Sequence, residues 1–374
     1  MTSKTSKTSR TSNETRPDRP APAQLLEFLS AKWISQAIGV TARLGIADLV
    51  ADAPLTAAEL AAMCEADADA LHRVLRATAS VGVFTEDADG RFGLTPLADL
   101  LRTDAPGSLR AAAITMNLDP MWRPYGHIEH SVRTGRPAFD HVYGVTIHQY
   151  LRDHPGQAEL FQEASVGFYR SAVPPIVDAY DFGPFSTVVD VGGGIGFLLS
   201  AILRRNPRGR GVLFETPGVI TAARKALADD PAAERITFDA GDFFERVTPG
   251  GDLYLIKSCL HNWGDRDAGR VLATIRAAMA PTARLLVVES VVPDGNGPHY
   301  SKLSDLELLV LAGGRERRAD EWQALFETAG FHQARVIPTA GPITLMELRP
   351  ETAHSPAPPA SPVSSTPSAQ VRPR

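Results

Sequence analysis

The sequence has 374 residues and a formal net charge of −5 at pH 7; 44% of its residues are hydrophobic and 22% are charged. This length allows two domains with sizeable cores, and the composition is ordinary for a globular protein, with no basic excess that would favour nucleic acid. Cys64 and Cys259 lie far apart and indicate neither a disulfide framework nor a metal site. Because no apolar run reaches the roughly 20 residues of a membrane span and no signal peptide is visible, we expect a cytoplasmic protein with no membrane partner and no metal.

The two ends of the chain differ in composition from the rest. Residues 1–20 are dominated by Ser, Thr, Lys and Arg, and residues 350–374 by Pro, Ser and Ala. Neither segment can bury enough apolar surface to offset the entropy lost on ordering, so we predict two disordered tails.

Residues 21–105 combine helical patterns with a short hairpin. A long amphipathic helix ends near Gly45, and Thr56 begins another helix with Glu59 at the capping-box position. Asp89 and Gly90 then join two short strand patterns. Three helices followed by a β wing predict a winged-helix domain.

A winged helix can bind DNA or pack against a second copy. The helix that would enter a DNA groove carries Asp67 and Asp69 beside Arg73 and Arg76, so it has no basic stripe. The first long helix has more apolar residues than one small core would use. We therefore predict a homodimer with no nucleic-acid partner, and a DNA-binding regulator is the alternative.

Residues 106–180 are predicted to form a helical linker that carries many aromatic residues. His127 and His130 have no acidic residue at a metal-like spacing, so we expect them to be ordinary polar histidines. We expect the segment and one later loop to form the wall of an apolar substrate pocket, which would include Trp122, Tyr125, Phe168 and Leu309.

From residue 181 to 349, seven apolar strand patterns alternate with helical patterns. This alternation predicts an α/β domain with a mostly parallel seven-stranded sheet covered by helices on both faces. Ligands of such sheets bind beyond the carboxyl ends of the strands. Residues that follow strands are therefore the candidates for function.

A glycine-rich turn follows the first of these strands in VVDVGGGIGF. Gly192, Gly194 and Gly196 have a G-x-G-x-G spacing, whereas a dinucleotide fingerprint needs a sixth-position glycine where this chain has Phe197. The turn therefore indicates a nucleoside cofactor without a pyrophosphate, for which S-adenosylmethionine is the natural candidate.

The next two strands end in residues suited to an adenosine. Glu215 ends the second strand, where a carboxylate can accept hydrogen bonds from both ribose hydroxyls; a surface or capping Glu is the alternative. Asp242 and Phe243 follow the third strand and suit the adenine amino group and ring face; a simple turn Asp is the alternative.

The fourth strand runs into His261. A histidine at a strand end beside the cofactor is well placed as a general base, because its ordinary pKa of about 6.5 matches neutral operation. Glu289 ends the fifth strand and Glu316 lies in the loop GGRER, so either can hold the imidazolium. Although most isolated histidines are structural, three titratable groups together favour catalysis.

These motifs resemble the plant-type, caffeate-like small-molecule O-methyltransferases, especially the bacterial branch that tailors polyketides and anthracyclines. The resemblance covers residues 24–349 and rests on VVDVGGGIG, LFETPGVI, AGDFF, LIKSCLHNW, VVESVVP and GGRERRADEWQALFETAGF. It implies a dimerisation domain and a Rossmann-like class I methyltransferase domain. It also implies that Asp190 and the glycine loop bind the cofactor, that Lys257 and Ser258 line the adenine edge, and that Asn262 orients the acceptor.

Three positions depart from the family pattern. Glu215 replaces the usual Asp, Asn262 follows the histidine where Asp is common, and Arg318 replaces the Thr of the usual Glu-Arg-Thr. The resemblance predicts methylation of a phenolic or enolic hydroxyl on an aromatic or polyketide metabolite. The alternative is the same fold and cofactor with a tailoring reaction other than methylation, such as hydroxylation, decarboxylation or cyclisation.

Overall fold

A computed structural model describes residues 20–351, with residues 165–171 described by their backbone alone. The predicted tails at residues 1–20 and 350–374 therefore lie outside the described residues, except for Pro20, Pro350 and Glu351. The chain divides into two compact units. The first contains the residues up to Pro174 together with Leu306–Gly313, and the second contains Pro175–Asp305 and the residues from Gly314 onward.

The first unit is mainly helical, with one small antiparallel sheet of order β1-β3-β2. One boundary between the units falls within α11, and a second falls within the helix Tyr300–Glu307. A 3-10 helix at Arg123–His127 lies between α7 and α8. In chain order the elements are α1 (Ala21–Arg43), α2 (Ile46–Leu49), β1 (Leu55–Thr56), α3 (Ala57–Cys64), α4 (Ala68–Ser80), β2 (Phe84–Glu86), β3 (Arg91–Leu94), α5 (Pro96–Asp99), α6 (Arg110–Thr115), α7 (Asp119–Trp122), α8 (Ile128–Thr134), α9 (Ala138–Tyr143), α10 (Ile147–Asp153) and α11 (Pro155–Ala179).

Local sequence explains the winged-helix part of this unit. The predicted capping box at α3 is present, because Thr56 Oγ1 accepts from Glu59 N–H and Glu59 returns a bond to Thr56 N–H at 2.8 Å. Gly90, at φ 72°, closes the β2–β3 hairpin. Leu75 and Phe92 are fully buried in the core beneath it. The predicted three helices and wing are therefore formed, with β1 as an additional strand.

The second unit contains a seven-stranded sheet of order β6-β5-β4-β7-β8-β10-β9. The five strands from β6 to β8 are parallel, and β10 is antiparallel to both neighbours. The elements are β4 (Thr187–Val191), α12 (Phe197–Arg205), β5 (Arg210–Glu215), α13 (Pro217–Ala226), β6 (Ile236–Ala240), β7 (Leu253–Lys257), α14 (Asp265–Ala278), β8 (Arg284–Ser290), α15 (Tyr300–Glu307), α16 (Ala319–Thr328), β9 (Phe331–Pro338) and β10 (Ile343–Pro350).

Two 3-10 helices, at Ala233–Arg235 and Leu260–Asn262, complete the second unit, and a π-helix at Leu308–Ala312 belongs to the first. The central strands are apolar on both faces, with Val189, Ile256 and Val287 fully buried, as expected for a sheet covered by helices. The predicted mostly parallel seven-stranded sheet is confirmed.

The strand order reverses at β4, which pairs with β5 on one side and β7 on the other. Such a switch point is where open α/β sheets bind ligands. The glycine loop leaves β4 at this point. Among the described residues no helix is both long and apolar enough to cross a membrane.

Candidate active site

The loop after β4 brings bare backbone to the switch point. Gly192 and Gly194 have φ angles of 66° and 58°, a left-handed conformation that favours glycine. A Cβ at Gly193 would lie 2.6 Å from Leu213 Cδ1 and would also meet the Asp190 carboxylate. The glycines are therefore required here both for the turn and for its close approach to the strands.

Asp190 is a buried acid one residue before the end of β4. Neither carboxylate oxygen has a hydrogen-bond partner within the part of the chain that the structure describes. Burial raises the pKa of Asp190 to about 7, against the opposing charge of Lys257. A buried polar group without a partner needs an explanation, and a ligand that supplies donors is one.

Lys257 and Ser258 lie at the end of the neighbouring strand, β7. Burial lowers the pKa of Lys257 to about 8, although the charges of Asp190 and Glu289 favour its protonated form. Ser258 has a φ of 48°, which is uncommon for a residue other than glycine. The backbone therefore turns sharply directly after the end of β7.

Glu215 ends β5, beside the glycine loop. Its Oε2 accepts from the backbone N–H of Thr216 at 2.6 Å. Burial raises the pKa of Glu215, and the N–H groups of Thr216 and Gly194 favour its charged form. The carboxylate is thus directed by the backbone at the strand end where the ribose was predicted.

Asp242 and Phe243 follow β6. Asp242 is exposed, and its Oδ1 accepts a hydrogen bond from Phe244 N–H at 2.8 Å. One carboxylate oxygen therefore stabilises a turn, which was the alternative role predicted for this residue. The Phe243 ring packs against the glycine loop, since a Cβ on Gly192 would lie 3.6 Å from its Cε1. The aromatic ring therefore lies against the glycine loop.

These features together fit S-adenosylmethionine. The unpartnered carboxylate of Asp190 suits an ammonium group, the directed carboxylate of Glu215 suits two hydroxyls, and the Phe243 ring suits a flat base. The glycines of the loop place no side chain between the loop backbone and the cofactor. The fit rests on the donor and acceptor chemistry of the site and on its lack of Cβ atoms.

His261 lies in the 3-10 helix Leu260–Asn262, directly after β7. Its Nδ1 is 3.3 Å from Glu316 Oε1 and 3.6 Å from Glu289 Oε2. The histidine side chain is 17% exposed, whereas those of Glu289 and Glu316 are 1% and 2% exposed. The three titratable groups are therefore brought together, with only the imidazole reaching the surface.

Each carboxylate is fixed by further hydrogen bonds. Glu289 Oε1 accepts from the backbone N–H groups of Cys259 and Leu260, both at 2.9 Å. Glu316 Oε1 accepts from Ser304 Oγ at 2.8 Å. Glu289 therefore holds the backbone of the histidine turn as well as facing its ring.

The two carboxylates set the proton affinity of His261. Burial disfavours the charged imidazole, but the charge of Glu289 and the hydrogen bond to Glu316 prevail and raise its pKa above 6.5. Because an acceptor faces Nδ1, the neutral ring carries its proton there and leaves the Nε2 lone pair as the base.

The predicted acceptor-side residues lie in both units. Asn262, in the second unit, donates from Nδ2 to Ser258 O at 3.5 Å. In the first unit, Trp122 ends α7, Tyr125 lies in the following 3-10 helix, and Leu309 lies in the π-helix that packs against that 3-10 helix. The side chain of Phe168 is outside the described residues.

Arg317 and Ser304 are residues of this region that sequence reasoning missed. Arg317 is fully buried and donates to the backbone around His261. Its only signal was its position beside Glu316 in the GGRERR motif. No group of three His, Cys, Asp or Glu side chains within residues 20–351 could hold a metal ion.

Comparisons with known proteins give the family. A profile described as an O-methyltransferase domain matches residues 125–332, and one described as an O-methyltransferase dimerisation domain matches residues 26–104. The chain is 45% identical to phenazine O-methyltransferase PhzM of Lysobacter antibioticus, over 88% of this chain and 97% of that one. It matches the crystal structure of LaPhzM with a TM-score of 0.85 at 45% identity, over 89% of this chain and 100% of that one.

A third match carries ligands. The O-methyltransferase NcsB1 of neocarzinostatin biosynthesis was solved with S-adenosylmethionine and 2-hydroxy-5-methyl naphthoic acid. It has a TM-score of 0.73 at 30% identity, over 84% of this chain and 95% of that one. The chain therefore belongs to the O-methyltransferase family and is an S-adenosylmethionine-dependent methyltransferase.

Proposed function

We propose that this enzyme methylates a phenolic or enolic hydroxyl of an aromatic secondary metabolite, with His261 as the general base. The observation that carries the proposal is the imidazole held at Nδ1 by two buried carboxylates, two residues after Cys259, whose side chain lies against the glycine loop. A phenol has a pKa of about 10 and is a weak nucleophile until its proton is removed. A base is therefore the group that this acceptor needs.

Proton transfer defines the role of each residue. The acceptor hydroxyl would give its proton to His261 Nε2, which makes the acceptor oxygen the nucleophile. Glu289 and Glu316 stabilise the resulting imidazolium, because their carboxylates face Nδ1. When bound, S-adenosylmethionine supplies an electrophilic methyl group on a sulfonium. A positioned base of this kind contributes about 10²–10⁴-fold to the rate.

The cofactor-binding residues follow from the same geometry. Asp190 would hold the ammonium group, Glu215 the ribose, and Phe243 the adenine ring, with Gly192, Gly194 and Gly196 giving close backbone approach. Asp242 would use its second oxygen for the adenine amino group. Lys257 and Ser258 would line the adenine edge.

The acceptor is proposed to be a flat aromatic or polyketide compound. The support is the naphthoic acid bound by NcsB1 and the phenazine named for PhzM. Trp122, Tyr125, Phe168 and Leu309 would form the pocket wall, and Asn262 would orient the acceptor oxygen. The intact His261 group supports methylation over the non-methylating alternative.

We also propose that the enzyme is a cytoplasmic homodimer that binds neither nucleic acid nor membranes. The support for the dimer is the matched dimerisation domain and the apolar face of α1, where Phe28 is 72% and Trp33 is 68% exposed. The support for the compartment is that Cys64 and Cys259 are both free thiols. Light scattering is expected to give twice the chain mass.

The activity is tested with methyl-labelled cofactor and a panel of hydroxylated phenazines, naphthoates and simple phenols. The expected product carries one additional CH₂ in its mass, whereas a product that gains one oxygen would identify hydroxylation. His261→Ala is expected to lose most turnover while binding the cofactor with unchanged affinity in calorimetry.

The matched control is His332→Ala, because His332 is exposed on β9, outside the proposed site. This variant is expected to turn over like the parent protein. If His261→Ala kept the parental rate, His261 would not be the base; if no panel compound were methylated, the proposed acceptor class would be wrong.

A further inference from the structure

The segment Gly314–Arg317 runs alongside the turn that carries His261. Arg315 N–H donates to His261 O at 2.8 Å, and Glu316, the next residue, hydrogen-bonds the imidazole. Arg317 forms a parallel bridge with Val291, just after β8, and its carbonyl accepts from Val292 N–H at 2.9 Å. The segment thus joins the end of β8 to the histidine turn.

Arg317 holds both ends of that turn. Its side chain is fully buried, and its guanidinium donates to Leu260 O at 3.4 Å and to Trp263 O at 2.8 Å. It also donates twice to Asp265 Oδ1, at 2.8 and 3.0 Å. The two carbonyls lie on either side of His261 in sequence. One rigid planar group therefore fixes the backbone before and after the base.

A buried guanidinium needs this many partners. Removing a charge from water costs several kcal/mol per ion, which is recovered only with good geometry and satisfied donors. The Trp322 ring adds a cation–π contact, with the guanidinium carbon 5.0 Å from the ring centroid. A shorter side chain could not reach all of these acceptors.

Gly314 is required by close approach. A Cβ there would lie 2.7 Å from both Cα and C of Asn262, and closer still to the His261 carbonyl oxygen. These are backbone atoms, so they cannot rotate away as a flexible side chain would. Any larger residue at this position would push the segment away from the turn, and Glu316 would move with it.

We propose that Gly314 and Arg317 are positioning residues that set the distance from His261 Nδ1 to the carboxylates of Glu316 and Glu289. The proposal rests on the proposed role of His261 as the base. Neither residue is expected to touch the acceptor or the cofactor. They are expected to affect the orientation of the His261 ring and its affinity for a proton.

The test compares Arg317→Lys with Arg318→Lys. Lysine keeps the charge of residue 317 but cannot form the planar set of bonds. Arg318 is an exposed neighbour whose guanidinium pairs with Asp320, so it serves as the matched control. For Arg317→Lys we expect kcat to fall about 10- to 100-fold, since small misplacements of reacting groups cost up to about 100-fold. The Kd of the cofactor, measured by calorimetry, should stay within about twofold of the parent value.

Gly314→Ala is the second variant, with Gly297→Ala as its control because a Cβ at Gly297 meets no atom within 4 Å. For Gly314→Ala we expect the same loss of kcat and an unchanged cofactor Kd. If Arg317→Lys does not fold, Asp265→Asn replaces it as the test. Asparagine keeps the shape of the aspartate but removes its charge, which weakens the interaction with Arg317, and this variant is expected to lower kcat in the same way.

A third measurement separates positioning from structural support. The titration of the His261 ring, followed by NMR in the full-length protein, reports its surroundings, which include Glu289, Glu316 and Lys257. We expect the midpoint of this titration to be lower in Arg317→Lys and in Gly314→Ala than in the parent and in both controls.

Two results would overturn the proposal. One is an unchanged kcat and an unchanged His261 titration in both variants. The other is a parallel loss of kcat and cofactor affinity, which would mean that the segment only supports the fold. If the parent protein methylates no compound, the proposed function fails, but the His261 titration still decides whether Gly314 and Arg317 position the ring.

Discussion

Replacing Asp190 with Asn is expected to stabilise the apoprotein and to weaken cofactor binding. Asp190 is buried, its carboxylate has no hydrogen-bond partner within residues 20–351, and burial raises its pKa to about 7. The unfolded chain would ionise this group near its ordinary pKa of 3.8. Between these two values the folded state holds a proton that the unfolded state has lost.

The sign and size of the effect follow from proton linkage. Since the unfolded state binds fewer protons in this window, the free energy of unfolding falls as pH rises from about 4 to about 7. At about 1.4 kcal/mol per pH unit, the ionised Asp190 costs the folded apoprotein about 4 kcal/mol above pH 7. Asn removes this cost but adds that of a buried amide, about 1–3 kcal/mol, so the net gain is about 1–3 kcal/mol.

The assay is urea unfolding of the cofactor-free protein at about pH 4 and about pH 8, with cofactor binding followed by calorimetry. The difference in free energy of unfolding between the Asn variant and the parent protein should change by about 4 kcal/mol between the two pH values. The cost of the buried amide is the same at both pH values, so it does not affect this change. Cofactor affinity at the higher pH is expected to fall at least about tenfold, since a charge-assisted hydrogen bond is lost. Asp229→Asn, at an exposed residue of the same unit, is the control.

The reasoning is refuted if the stability difference is the same at both pH values. Asp190 would then be ionised at no cost, and its carboxylate would have a partner in the folded apoprotein. An unchanged cofactor affinity in the Asn variant would separately remove Asp190 from the cofactor site.

Four other predictions concern the same unit. Glu289→Gln keeps an acceptor for the N–H groups of Cys259 and Leu260 but presents an amide donor to His261, so kcat should fall about 10²–10⁴-fold with only a small loss of stability. Glu289→Ala loses the acceptor as well, and urea unfolding should show a loss of about 3–5 kcal/mol; equal stability of the two variants would contradict this. Gly193→Ala should abolish cofactor binding in calorimetry, since its Cβ would meet the buried side chains of Asp190 and Leu213, and retained binding would refute the close-approach argument. Because His261 must be neutral to act and its pKa is raised above 6.5, initial rates should fall as pH drops through that raised value, and a flat profile would count against a histidine base.

The sheet could be predicted because its central strands are apolar on both faces. Runs such as TVVDV and RLLVVES are continuous, so β4 and β8 stand out from the amphipathic helices between them. Asp190 and Glu289 were visible for the same reason, as single charges within apolar runs. The boundaries placed at residues 105 and 180 stay predictions.

Other features depend on contacts that sequence patterns do not contain. Arg317 reads as an exposed charge, because its acceptors are backbone carbonyls more than 50 positions away in the chain. The left-handed φ of Ser258 has no glycine to mark it. The turn role of Asp242 was foreseen only as an alternative, since both uses of that carboxylate need the same residue type.

The strand order also determines when the parts of the site are made. β4, β5 and β6, with the glycine loop and Glu215, are adjacent in sequence and form one side of the sheet. Glu289 and Glu316 follow later in the chain. β10 is the last strand, so it can pair with β8 only after nearly the whole domain has been synthesised. During translation, the half that would bind the cofactor therefore leaves the ribosome before the half that aligns the base. Because domains generally fold as units, both halves of the site are complete only once β10 has been synthesised and has paired with β8.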